Sequence, residues 1–128
     1  EQSMGASMKM VLNMLLGISL LGFAEAMALG QSMGLAEERL LETLVGSAVV
    51  APVVGAKRSN IEEDSYETAF PLRWMQKDLQ LAATTAYENG VAMPMENAAK
   101  ETYAMAIRQG LGDLDFSAIY QFINESKD

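Results

Sequence analysis

The sequence has no cysteine and no histidine. Their joint absence excludes disulfide staples, Cys/His zinc sites, cysteine nucleophiles and histidine general bases. A carboxylate-only metal site would remain, but no acidic spacing signals one, so no metal is expected. Basic residues are scarce: nine Lys plus Arg against seventeen Asp plus Glu give a formal charge of −8. A broad nucleic-acid face needs clustered Lys and Arg, and an anchor on anionic lipid needs a polybasic segment. Neither nucleic acid nor membrane is therefore expected as a partner. A glycine-rich G-x-G-x-x-G turn is also missing. Gly110-Leu111-Gly112 supplies only its first half and lies between helical segments. No basic stretch precedes the first apolar run, so a secretory signal is not expected. The lack of cysteine fits a cytoplasmic origin.

What is present is largely apolar. Hydrophobic residues make up 50% of 128 residues, enough for one folded domain with a real core. The apolar run Val11 to Leu29 approaches the length of a membrane span. Asn13, Ser19 and Glu25 interrupt it, Gly17 and Gly22 dilute it, and no basic flank orients it. It is better read as a long helix buried by protein on most of its circumference. The ten methionines are spread along the chain and read as adaptable core filler.

The periodicity predicts an all-α domain of about six helices built round one long N-terminal helix. Glu1 to Met4 reads as a cut edge. The first helix is expected from about Ser7 to about Met33, with Gly34 ending it in a left-handed conformation. Gly17, Gly22, Ala24, Ala26 and Ala28 cost helix propensity and make sense where another helix approaches closely. A second helix is expected over Ala36 to Val45, with Glu37 and Glu38 in its first turn and Gly46 at its end. A third is expected from about Ala51 to about Asn60, since Pro52 opens a helix better than it sits in a central strand. Ile61 to Ala69 reads as a loop. A fourth helix follows Pro71 and runs to about Glu88, with Leu72, Met75, Leu79 and Ala82 facing inward and Asn89-Gly90 as the stop. A fifth opens at Pro94, presents Ala98, Ala99, Thr102 and Ala106 on one face, and closes at Gly110 and Gly112. Asp115 is a plausible N-cap for the last helix, about Phe116 to Asn124.

Three stretches could carry chemistry. Lys9 and Asn13 stand four residues apart on a greasy helix, which puts them on one face at roughly 5–6 Å between Cβ atoms. The second stretch is Phe70-Pro71-Leu72-Arg73-Trp74-Met75-Gln76-Lys77-Asp78-Leu79. The third is Gly110-Leu111-Gly112-Asp113-Leu114-Asp115-Phe116-Ser117-Ala118. Each alone has an ordinary explanation: a solvated lysine, a wet helix face, a turn.

Together they resemble the C-terminal domain of the β-hydroxyacid dehydrogenases, which include 3-hydroxyisobutyrate dehydrogenase, tartronate semialdehyde reductase and glyoxylate/succinic semialdehyde reductase, with 6-phosphogluconate dehydrogenase more distant. Gly5-Ala6-Ser7-Met8-Lys9-Met10-Val11-Leu12-Asn13 is similar to the family's glycine–lysine–asparagine segment, and Phe23-Ala24-Glu25-Ala26 to its mid-helix signature. Phe70-Pro71-Leu72 and Gln76-Lys77-Asp78-Leu79 match a later helix start. Ala51-Pro52 and Gly112 to Ala118 look most like the glyoxylate/succinic semialdehyde reductase branch.

The resemblance covers essentially the whole chain, and it implies roles. Lys9 would be the catalytic lysine, and Asn13 would hold substrate against it. Lys77 would contact an NAD or NADP cofactor. Phe70 and Asp78 would line or support the cleft. The substrate would be a small hydroxy acid or semialdehyde. A proton-transferring lysine must lose its charge near the working pH, which burial and a neighbouring cation such as Lys77 would favour.

With no cofactor-binding turn, residues 1–128 read as a C-terminal substrate-binding and dimerisation domain without its N-terminal Rossmann partner. Alone, the chain is expected to be inactive. The first helix would then expose an apolar face, and a homodimer or tetramer is expected. The alternative is a non-catalytic helical oligomerisation or interaction module of the same fold.

Overall fold

The computed structural model describes residues 2–125 and the side chains of residues 4–124. Those residues are all helix and connection, with seven α-helices. α1 spans Gln2–Ser32 and is the axis of the domain. It starts about one turn earlier than expected, and Glu1 of the expected cut edge lies outside the described residues. Helix α1 ends as the sequence implied. Gly34 takes φ +96°, its N–H donates to the Gln31 carbonyl, and the Leu35 N–H donates to the Gly30 carbonyl. That double bond is a Schellman closure, and only a residue without Cβ adopts its left-handed step freely.

Around α1 stand α2 (Glu37–Leu44), α3 (Pro52–Ala56), α4 (Arg58–Glu63), α5 (Leu72–Glu88), α6 (Pro94–Ala106) and α7 (Ile119–Glu125). α1 lies along α5 and α7, and α5 pairs with α6. The single third helix expected from Ala51 to Asn60 is two short ones. Lys57 breaks them, at φ −104° and ψ 4°. The second runs to Glu63, so Ile61 is a buried helical residue rather than the start of a loop.

The core confirms the face expected of α5: Leu72, Met75, Leu79 and Ala82 are all buried. Gly17 explains how closely α1 approaches it. A Cβ at Gly17 would stand 2.8 Å from the Met75 sulfur. Gly22 does not share that reason, because its Cβ position has open space around it. The α6 face keeps Ala99 and Ala106 of the expected set but is rotated from it. Ala98 is exposed, and the buried set is Glu96, Ala99, Tyr103 and Ala106. Tyr103 sets this register by donating its hydroxyl to the Gly17 carbonyl at 2.8 Å.

By length and composition α1 could cross a membrane. Its second half is a core helix instead, with Leu20, Ala24 and Met27 fully buried. The first half departs from the expected burial. Met4, Met8, Val11, Leu12 and Leu15 are each at least half exposed and share one side of the helix.

Candidate functional site

The site begins with two helices held at a fixed register. On α1, Ala6, Lys9, Met10 and Asn13 follow three- and four-residue steps, so they lie on one side. On α5, Asp78 and Leu81 sit three apart on the facing side. These six residues enclose a hollow of about 220 Å3. Asn13 Nδ2 donates to Asp78 Oδ2 at 2.8 Å, joining positions 65 apart. The amide is thereby oriented, because its NH2 faces the carboxylate and its oxygen remains the acceptor.

Three of the five residues singled out in the sequence therefore meet: Lys9, Asn13 and Asp78. Lys9 is exposed and has no ion-pair partner among the described residues. The partial burial expected of it is not provided by this chain. The charged group that shares its hollow is Asp78, not Lys77. One residue on an α-helix is about 100° of rotation, so the turn that aims Asp78 at α1 leaves Lys77 exposed and outside the lining of the hollow.

Phe70 stands apart from that hollow. Its ring is half-buried and packs edge-on against Trp74 and Phe116, with centroids 6.0 Å away in each case. Trp74 is half exposed and lies one turn before Asp78 on the same face of α5. Phe70, Trp74 and Asp78 thus form a continuous strip. Trp74 lies in the second stretch singled out in the sequence but was given no role there, although its four-residue step to Asp78 was the available signal.

The start of α5 is fixed by the third stretch. The N–H groups of Leu72 and Arg73 donate to the carbonyls of Leu114 and Gly112 at 2.8 and 3.0 Å. These would otherwise be unpaired helix-start donors. Asp115 completes the joint. It is fully buried, and it accepts from the Ala69 and Phe70 N–H groups and from both the N–H and hydroxyl of Ser117. The Lys57 ammonium lies 3.0 Å from it and over the Phe116 ring. Burial alone would raise the Asp115 carboxyl. The hydrogen bonds from Ser117, Phe70 and Lys57 outweigh burial and hold it below its ordinary range. Asp115 is a cap where the sequence implied one, but it caps the 3-10 turn Phe116–Ala118, and the last α-helix starts after that turn at Ile119 rather than at Phe116. Its hold on Phe70 and Lys57, across the fold, was not visible there.

No group of three Asp or Glu among the described residues could hold a metal ion.

The family model described as NAD-binding of NADP-dependent 3-hydroxyisobutyrate dehydrogenase matches residues 3–123. Glyoxylate/succinic semialdehyde reductase 1 of Arabidopsis thaliana is 39% identical over 124 residues, covering 97% of this chain and 43% of that protein. The cytokine-like nuclear factor N-PAC of Anopheles gambiae is 37% identical over 113 residues, 88% of this chain and 20% of that protein. Among solved structures, a 3-hydroxyisobutyrate dehydrogenase from Salmonella typhimurium has the same fold. Its TM-score is 0.86 at 24% identity, over 92% of this chain and 41% of that one. The chain spans less than half the length of each of these relatives. With both the three joined stretches and the match over nearly its whole length, the chain belongs to the 3-hydroxyisobutyrate dehydrogenase family.

Proposed function

We propose that this chain is the C-terminal, catalytic-lysine domain of an NAD(P)-dependent β-hydroxyacid dehydrogenase or semialdehyde reductase. The observation that carries the reading is the hollow shared by Lys9, Asn13 and Asp78, with Asn13 already oriented by Asp78. The similarity to a glyoxylate/succinic semialdehyde reductase supports the reaction class.

A nicotinamide cofactor would accept or deliver the hydride. The residues present fit one edge of such a group and not its pyrophosphate. Lys77 is an exposed cation next in sequence to Asp78, whereas no strand–glycine turn–helix unit lies among the described residues. The pyrophosphate would be held by an N-terminal Rossmann domain of the same polypeptide.

Lys9 Nζ takes the hydroxyl proton of a small hydroxy acid in oxidation and returns it to the carbonyl oxygen in reduction. The second N–H of Asn13 Nδ2, the one not given to Asp78, donates to the oxygen of that hydroxyl, which keeps substrate over Lys9. Asp78 does not touch substrate and acts by fixing the Asn13 amide. Phe70 and Trp74 stand apart from the hollow, toward the start of α5, and would support the cleft rather than wall it. The exposed flank of α1 gives the covering domain a surface to dry the hollow. A homodimer or tetramer is built on the rest of the exposed α1 stripe.

A second reading has its own observation. The N-PAC relative bears the name of a nuclear factor, not of a dehydrogenase, at 37% identity. The fold would then serve as an interaction module and Lys9 would be idle. Turnover separates the two. The full-length polypeptide is assayed with NADH and NADPH against glyoxylate, succinic semialdehyde and 3-hydroxyisobutyrate, beside this 128-residue chain. Activity in the long form and none in the short one supports the enzyme. No activity in either, with cofactor bound, favours the module.

A further inference from the structure

Met10 is half-buried, and it is the one residue common to the linings of the Lys9 hollow and of a second hollow beside it. The second hollow holds about 310 Å3. Met14 of α1, Ala82 and Ala86 of α5, and Val91 and Met93 of the connection into α6 form most of its wall. The amide at its edge is already engaged, since Asn89 Nδ2 donates to the Thr85 carbonyl at 2.8 Å. What remains is largely apolar space, which favours alkyl groups over water.

Two spacings order the hollows. On α1, Met10 stands about 100° round the helix from Lys9 and about 60° from Asn13, so it bounds the Lys9 hollow on one side. On α5, Asp78 lines the first hollow and Ala82, one turn on, lines the second. The two spaces are therefore neighbours along the α1–α5 seam, and the Met10 side chain is the partition between them. An unbranched thioether with three rotatable bonds fills such a gap readily.

We propose that Met10 sets the length of the apolar arm that a substrate can carry. The inference rests on the proton-transfer reading of Lys9. A small hydroxy acid with its hydroxyl over Lys9 and Asn13 directs its alkyl arm at Met10 and meets the thioether within the first hollow of about 220 Å3. Shortening residue 10 joins the two spaces and gives the arm the further 310 Å3 of the second.

The test is a substrate series in the full-length polypeptide loaded with NAD or NADP: 3-hydroxypropanoates bearing a methyl, ethyl, propyl or butyl group on the carbon next to the carboxylate, with succinic semialdehyde beside them in the reducing direction. Wild type is compared with Met10→Ala, Met10→Val and Met10→Leu. The readout is kcat/KM for the butyl compound relative to the methyl compound. In wild type and in Met10→Leu, which conserves volume, kcat/KM is expected to fall as the arm lengthens. Met10→Ala is expected to raise the butyl-to-methyl ratio at least tenfold, the low end of the about 10–200-fold that one methylene commands in an apolar pocket. Met10→Val opens less space, is expected to give a smaller rise, and carries the test should Met10→Ala fail to fold. An unchanged ratio in both opened variants, or no turnover of the alkyl series by any variant that still reduces succinic semialdehyde, would overturn the role of Met10 and leave the Lys9 reading standing. No turnover of any of these compounds by folded, cofactor-loaded wild type would remove that reading and this inference with it.

Discussion

Asn13 of α1 and Asp78 of α5 are joined by a 2.8 Å side-chain hydrogen bond at the edge of the hollow that Lys9 lines. The bond ties the two helices at the point where the chemistry is proposed. It also decides which end of the Asn13 amide is available. A charged acceptor makes it one of the stronger hydrogen bonds a side chain can form.

Removing the acceptor should disturb Asn13 without touching substrate. In the full-length enzyme, Asp78→Ala is expected to lower kcat/KM about tenfold, or ~1.4 kcal/mol, within the usual range for a charged hydrogen bond. Asn13→Ala should cost at least as much, and the double variant little more than Asn13→Ala alone. Steady-state kinetics of the three variants measure this coupling. Additive losses would mean that Asp78 acts independently.

Asp115 gives the fold an acid-sensitive joint. Its folded pKa lies below its ordinary value, so the unfolded chain binds the proton more readily. Stability rises with pH wherever that holds. The contribution is present above the unfolded carboxyl value, about 3.9, and is lost as pH falls through the lower folded value. Asp115→Asn is expected to flatten the acid limb of a Tm-against-pH curve. Asp115→Ala, which leaves Lys57 without its buried partner, should cost about 3–5 kcal/mol in a denaturant titration at neutral pH.

Glu96 is the opposite case. It is almost fully buried in the first turn of α6, and neither carboxylate oxygen has a hydrogen-bond partner. Burial raises its pKa, and Lys100 offsets this only in part. Folding therefore favours the protonated form, and stability falls as pH rises through the carboxyl range. An unpaired buried polar group costs about 1–3 kcal/mol, and a carboxylate at a helix start returns only about 0.3–1 kcal/mol. Glu96→Met is expected to raise Tm at neutral pH, and to raise it less at pH 4. Differential scanning calorimetry at both values checks the sign.

The helices, most of their ends and the buried stripe of α5 were legible because each is set by neighbours within a few residues. Gly34, Pro94 and the Leu72–Ala82 spacing act locally. The face of α6 was legible only in part: Ala99 and Ala106 are buried as expected, Ala98 is not. The spacing of Ala98, Ala99, Thr102 and Ala106 suggested the face, but one long-range hydrogen bond from Tyr103 to Gly17 sets the rotation. At the site, Lys9 and Asn13 were visible as a pair by spacing. Asp78 came from family resemblance, and its bond to Asn13 came only from the fold. Phe70 could be named from its motif, but its packing on Trp74 and Phe116 depends on Asp115, which lies 45 positions away. A glutamate that ends up buried without a partner leaves no local mark at all.

The exposed side of α1 predicts self-association. Met4, Met8, Val11, Leu12 and Leu15 make a stripe along more than three turns. Light scattering of this chain at high concentration is expected to give a dimer or larger species. Leu12→Glu combined with Leu15→Glu should return it to a monomer without loss of helix by circular dichroism. A clean wild-type monomer would remove this part of the reading.

The account rests most heavily on the Lys9 amine, and its most direct test is single-turnover kinetics of Lys9→Ala in the full-length enzyme with saturating cofactor and substrate. The chemical step is expected to slow by about 10²–10⁴-fold, the usual share of a positioned general acid–base group, while cofactor affinity and folding stay at wild-type levels. An unchanged rate in a folded, cofactor-loaded variant would contradict the assignment of proton transfer to this residue.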